Sequence, residues 1–274
     1  MTNNIPIKPN LSQSLLKDYY DYYSNNACGY YIWQKHFLKL KTEPSLVQQL
    51  GIYFEYMATG YVFKGDEVPT PKMVYQGSSR EDMAKAYKRA DLSALLFKKM
   101  LTVHNVVIKK FGNYMLYNGA SGITDIEAIV GGRPAIIDVK YTSLIDDKWS
   151  EYGWHTETLA GKKKLMLQPA HYKYLKRKIE GIENIDFYYW IFSSQKPHLA
   201  KIIKVEMEDE VIDLHEQHYV EKMKRYIDYH FQDPSQLKAN PSYLKCNECP
   251  FFDVCEKRIT VPQVEEVQFS TFDM

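Results

Sequence analysis

Four cysteines constrain this chain more than any other feature. Cys246, Cys249 and Cys255 form a C-x2-C-x5-C run, and the fourth, Cys28, lies more than two hundred residues upstream. Four thiolates suit one tetrahedral zinc ion or one iron–sulfur cluster. Either would clip the N-terminal segment to the C-terminal one, and in the chain-entropy picture closing so long a loop gains more than closing a short one. A disulfide framework fits poorly. The chain is too large to need staples, and its start, Met1 to Lys8, has no apolar stretch of the secretory kind. The expected setting is cytoplasmic, or the host cytoplasm for a virus-encoded protein. A single C-x2-C pair with a lone Cys28 suits a cluster at least as well as zinc, which usually draws two pairs.

At 274 residues the chain is one large domain or one domain with an appended piece. Its formal net charge of +1 names no partner, so local clusters must do so. No apolar run reaches the roughly 18 residues of a membrane span, and no membrane partner is expected. The 23 tyrosines could stack on bases, but half-buried packing explains most tyrosines.

Helical periodicity covers residues 12–24, about 44–59 (Pro44 in the first turn, Gly60 as the stop) and 80–103, opened by Ser78 or Ser79. The period then alternates, predicting strands at 106–108, 114–117, 123–130 and 135–142. A helix at 168–180 with Pro169 in its first turn, strands at 187–192 and 200–205, and a long helix over 209–230 follow. This order predicts an α/β (α+β) core whose sheet is mainly antiparallel in its first half.

The segment Gly122 to Lys140 carries the chemistry. Gly131-Gly132 makes a good two-residue hairpin turn. Val130 then faces Arg133, and Asp125 falls opposite Asp138. Directly opposed carboxylates repel, which a cation between them would relieve. Lys140 shares the face of Asp138, while Ile126, Ala128, Val130, Ile137 and Val139 form an apolar face.

Asp125, then Asp138-x-Lys140, then Gln168-x3-Tyr172, resembles the PD-(D/E)XK nuclease superfamily, the last motif its RecB-type branch. Leu11-Ser12-Gln13-Ser14-x-Leu16 leading to Cys28, with the three late cysteines, resembles the iron–sulfur members of that branch, such as the AddB nuclease domain and CRISPR-associated RecB-like exonucleases. The resemblance runs from about residue 11 to 258. It implies a restriction-endonuclease-like core, a central mixed sheet flanked by helices, within one nuclease domain over 1–274. The catalytic core would span about 80–205, cluster-binding elements would lie at 28 and 245–258, and a tail at 260–274. Two positions depart from the family pattern. Glu55, after Gly51, stands where a histidine is usual, and Gly29 follows Cys28 where proline is frequent.

The resemblance implies Mg2+ or Mn2+ on Asp125, Asp138, Glu55 and the Val139 carbonyl, and a [4Fe-4S] cluster on Cys28, Cys246, Cys249 and Cys255, with zinc as the alternative. Lys140 would orient or deprotonate the attacking water, and Gln168 and Tyr172 would position the strand or the lysine. The expected activity is DNA hydrolysis, as an exonuclease on single-stranded ends. Recombination, CRISPR adaptation and viral DNA processing are its candidate settings. The basic run Lys162, Lys163, Lys164, Lys173, Lys176, Arg177 and Lys178 is a candidate phosphate contact. His155 and Glu157 are weaker candidates near the metal. The rivals are a non-catalytic nucleic-acid-binding subunit of this fold and a zinc-stabilised interaction module.

Overall fold

The computed structural model describes residues 5–25, 27–62, 67–69, 80–145 and 153–262, without the side chains of residues 25, 80–84, 159–161, 163 and 164. A short strand β1 (Leu11–Ser12) leads into α1 (Gln13–Asn25), α2 (Gly29–Ile32) and a wide turn over Trp33–Phe37. Then come α3 (Leu46–Thr59), α4 (Arg80–Val103), strands β2 (Val106–Tyr117), β3 (Ala120–Val130) and β4 (Arg133–Thr142), and α5 (Leu159–Glu180). Strands β5 (Asp186–Ser193) and β6 (Ala200–Val205), α6 (Asp209–His215), a wide turn (Glu216–Val220), α7 (Glu221–Gln232) and α8 (Tyr243–Asn247) follow, with single 3-10 turns at Pro234–Gln236 and Phe252–Val254. No helix among the described residues is long and apolar enough to cross a membrane.

The chain divides into two compact units, one comprising Asn10–Gln13 and Pro44–Lys224, the other the described parts of Met1–Pro9, Ser14–Glu43 and Arg225–Met274. In the first, the sheet has the order β1-β3-β4-β5-β6, with β2 also paired to β3. It is mixed: β1 runs parallel to β3 and β4 to β5, and the other pairs are antiparallel.

Local chemistry sets most boundaries. Ser45 accepts from the Gln48 amide while Gln48 accepts from the Ser45 amide, a reciprocal cap that starts α3 two residues after Pro44 rather than at it. Gly60 closes the helix at φ 70°. The strands expected at 106–108 and 114–117 are one strand, because a bulge at Lys109 lets β2 bend and keep pairing with β3. Gly131 and Gly132, both at positive φ, make the hairpin turn, and Val130 pairs with Arg133 as expected. The expected 209–230 helix is interrupted by the wide turn over Glu216–Val220. The start proposed at Ser78 or Ser79 and most of the tail at 260–274 lie outside the described residues.

Helix α5 begins nine residues before the predicted start, so Pro169 is interior rather than in the first turn. The proline has no N–H for the carbonyl of Leu165 four residues back. The Tyr189 hydroxyl donates to that carbonyl instead, at 3.3 Å. A sheet side chain thus repairs the gap, which local sequence cannot reveal.

One face of the sheet is apolar. Ile126, Ala128, Ile137, Val139, Trp190 and Phe192 pack with Phe54 and Ala58 of α3 and Ala90, Ala94 and Phe97 of α4. Helix α5 covers the other face. It sits close at Gly122, where an added Cβ would lie 2.8 Å from the Tyr172 ring and 3.1 Å from Leu175. Tyr172 also packs on Phe187.

In the second unit, Asp18 of α1 accepts from Lys35 at 2.8 Å and pairs with His36 at 2.6 Å. The Tyr19 hydroxyl meets His230 Nδ1 at 2.9 Å, and Tyr23 stacks on Tyr226. Much of the tyrosine content is spent in such packing.

Candidate active site and cysteine cavity

The register of β3 against β4 runs from Val130↔Arg133 to Ile126↔Ile137, and Asp125 and Asp138, one residue beyond the last pair, lie close enough for one carboxylate to act on the other. Asp125 Oδ2 accepts from the Val139 amide at 2.9 Å. Asp138 is fully buried. Its Oδ1 accepts from Gln168 Nε2 of α5 at 2.5 Å. Its Oδ2 forms an ion pair with Lys140 Nζ at 2.5 Å but receives no well-directed hydrogen bond among the described residues. The apolar side of the hairpin is the core face expected, but its polar side is enclosed by α5 rather than solvated.

Burial dominates the electrostatics. It pushes Asp138 up to about 7; Asp125 adds to the rise, while Lys140 and Gln168 oppose it. Burial also works against the charge of Lys140, but Asp138, then Asp125 and Glu55, outweigh it and hold that pKa above the usual lysine range. A third of the Lys140 side chain, 32%, still reaches solvent. Glu55, half-buried on α3, is thus close enough to act on Lys140.

Tyr172, one turn after Gln168, donates to the Ile123 carbonyl at 2.8 Å. It holds α5 onto β3 and does not reach the carboxylates through a hydrogen bond in this structure. Among the described residues, no group of three His, Cys, Asp or Glu stands ready to hold a metal ion.

The basic run is not a free basic surface. Lys173 is buried, with its pKa lowered by burial. Lys176 is buried between Glu127 at 2.6 Å and Glu180 at 2.5 Å. Arg177 pairs with Asp213, and Lys178 with Glu216 at 2.9 Å. Lys162 is exposed, and the side chains of Lys163 and Lys164 lie outside the described residues. His155 is buried beside the Thr158 hydroxyl at 3.4 Å, and Glu157 is exposed.

Sequence reading missed Glu127 and Tyr189. Glu127 Oε1 meets Lys176, Asn113 at 2.7 Å and Thr124 at 3.2 Å. Tyr189 pairs with Asp138 across β4 and β5, and its pKa is pushed well up by burial and then by Asp138. Glu127 lies two residues after Asp125, and Lys176 four after Tyr172, so strand and helix periods contained the signal.

The four cysteines are free thiols and line one cavity of about 40 Å³ in the second unit, with Tyr30, Lys245 and Arg258 on its rim. Amides of Asn240 and Ile259 point at Cys28 Sγ and Cys246 Sγ, each at 3.4 Å. Burial pushes Cys249 and Cys255 up, and the neighbouring sulfurs push the same way. Gly29 explains its departure from proline: its amide donates to the Lys238 carbonyl at 2.9 Å, and an added Cβ would lie 2.7 Å from that oxygen.

No protein-family model and no curated protein matches this chain. Among solved structures it is similar to a protein of Eubacterium rectale described as a candidate exonuclease, with a TM-score of 0.53 and 18% identity, over 97% of this chain and 92% of that one. A phage-related exonuclease from Haemophilus somnus 129PT matches at a TM-score of 0.37 and 15% identity, over 68% and 81%, too loosely to bear on the fold. The first likeness concerns architecture alone. In fold alone, the chain is similar to that Eubacterium rectale protein.

Proposed function

We propose that this chain is a metal-dependent deoxyribonuclease, acting as an exonuclease on single-stranded ends. The observation that carries this reading is the meeting of Asp125, Asp138, Lys140 and Gln168 at one point of the sheet. A binding module gains nothing from a fully buried carboxylate pushed up to about 7 beside a second carboxylate.

The donors suit Mg2+ or Mn2+. Asp125 and Asp138 offer hard oxygens, and Asp138 Oδ2 lacks a well-directed hydrogen bond among the described residues. Asp125, Asp138, Glu55 and the Val139 carbonyl would hold the ion, which would supply Lewis-acid activation of water and phosphate. Gln168 fixes one Asp138 oxygen and so orients the carboxylate. Lys140, held protonated by Asp138, offers an ammonium to the charge that grows on the phosphoryl oxygens as water adds and the ester bond breaks. The Tyr172 hydroxyl keeps α5, and with it Gln168, on β3.

The cysteine cavity suits a [4Fe-4S] cluster, with zinc as the rival. Its four sulfurs crowd together, and after burial the neighbouring sulfurs push Cys249 and Cys255 up, which a bound cationic centre would relieve. Exposed Lys162 at the start of α5 is the remaining described candidate of the basic run for phosphate contact.

The test is digestion of end-labelled single- and double-stranded DNA, with and without Mn2+. Lys140→Ala should abolish cleavage while DNA affinity stays within about tenfold, or ~1.4 kcal/mol. Wild-type cleavage in that variant would remove the assignment. Protein purified without oxygen should be brown and hold iron; colourless protein holding one zinc per chain would select the rival.

A further inference from the structure

A cavity of about 550 Å³ in the sheet-bearing unit reaches Lys140. Leu46, Val47 and Leu50 of α3 form one apolar wall, and Val47 is 72% exposed. Trp154 lines the cavity too, its position fixed by the Lys201 ammonium on its carbonyl at 2.8 Å and by its ring against Tyr189 at 5.2 Å. Arg89 of α4 completes the set, and its Nε is buried without a hydrogen-bond partner among the described residues.

These features restrict the occupant. A purely apolar guest would leave the charge of the lining Arg89 unmatched, and a bare anion would leave the apolar wall uncovered. The volume lies in the range of about 300–1,000 Å³ typical of small-molecule sites. A nucleotide supplies a flat base for the indole and the aliphatic wall, oxygen acceptors for the guanidinium, and a phosphate to lie beside Lys140. We propose that this cavity takes the terminal nucleotide of a DNA strand, its base between Trp154 and the α3 wall and its oxygens toward Arg89. The adjoining phosphodiester then falls at Lys140. This rests on the hydrolytic reading above and deepens it, because a pocket filled by the last nucleotide selects a strand end.

Calorimetric titration of the full chain with dAMP in EDTA tests the pocket without cleavage. Deoxyribose 5-phosphate, which lacks a base, serves as the comparison. dAMP should bind, and deoxyribose 5-phosphate at least about tenfold more weakly, as the loss of one base–aromatic stack predicts. Trp154→Ala should cost a similar factor. Val47→Glu puts a carboxylate on an already exposed position, so it should fold normally and lose dAMP binding. The inference is overturned if dAMP does not bind, if the sugar phosphate binds equally well, or if Val47→Glu binds like the parent. Protein that binds dAMP through these residues but cleaves no DNA would support the pocket and remove the hydrolytic reading. Protein that cleaves DNA but binds no dAMP would remove the pocket alone.

Discussion

Gln168 of α5 donates to Asp138 Oδ1 at 2.5 Å, so a helix side chain steadies a strand carboxylate that is fully buried. Gln168→Leu removes the donor while roughly keeping the shape. The variant should lose about 1.5–3 kcal/mol of stability in urea unfolding, the usual worth of a hydrogen bond to a charged group. It should also cut cleavage, because the carboxylate loses its orientation. Unchanged unfolding and unchanged cleavage together would show that the contact does nothing.

Lys176 should behave as a structural cation. Lys176→Met strands Glu127, and breaking a buried pair in this way costs on the order of 3–5 kcal/mol. The double variant Lys176→Met/Glu127→Leu should recover most of that loss. DNA affinity of the folded protein should keep its salt slope; a slope reduced by about one would make Lys176 a phosphate contact instead.

His171 and His215 lie together in the sheet-bearing unit, 3.4 Å apart, and His171 Nε2 donates to the Ser121 carbonyl at 3.0 Å. Burial pushes His171 down to about 4 and His215 to about 3, from the ordinary 6.5. The unfolded chain therefore binds protons first. Stability is full above about pH 6.5 and falls as the pH drops towards 4, by on the order of 3 kcal/mol for each histidine. Urea midpoints measured between pH 7 and 4 should show this slope, and His171→Gln/His215→Leu should flatten it. An equal slope in that double variant would place the acid sensitivity elsewhere.

Gly29→Ala should disturb the cysteine cavity, since the new methyl meets the Lys238 carbonyl. The strain should lower stability by about 1–3 kcal/mol. Bound metal per chain, measured after anaerobic purification, should fall with it. Full metal content and an unchanged melting temperature would free Gly29 of this role.

Much of this was legible in local sequence. The Gly131-Gly132 turn fixes the register that brings Asp125 to Asp138, and a period of two separates the apolar stripe Ile126, Ala128 and Val130 from its polar neighbours. Gly60 closes α3 as its conformational freedom suggests. What escaped depends on tertiary partners. Pro169 reads as a helix start unless Tyr189 is known to satisfy the carbonyl it leaves free. Lys173, Lys176 and Arg177 read as a basic stripe unless their burial or acidic partners on β3 and α6 are known. The cavity beside Lys140 draws residues from five separate stretches of chain, beyond the reach of any spacing rule.

Gln168, Tyr172 and Lys176 follow one another a turn apart, and each meets its own acceptor: Asp138, the Ile123 carbonyl and Glu127. Helix α5 is therefore indexed on the sheet like a key with three teeth. A slip of one turn, about 5.4 Å, would leave a carboxylate and an ammonium stranded in the interior. On the opposite face, Phe54, Ala94 and Phe97 meet the sheet through apolar contact, where swaps of similar volume are tolerated, beside the Ser93 hydroxyl that donates to the Ser193 carbonyl at 3.0 Å. The two sides of one sheet should therefore drift at different rates under substitution: the α3–α4 side freely within its volume, the α5 side only by coordinated exchange of partners.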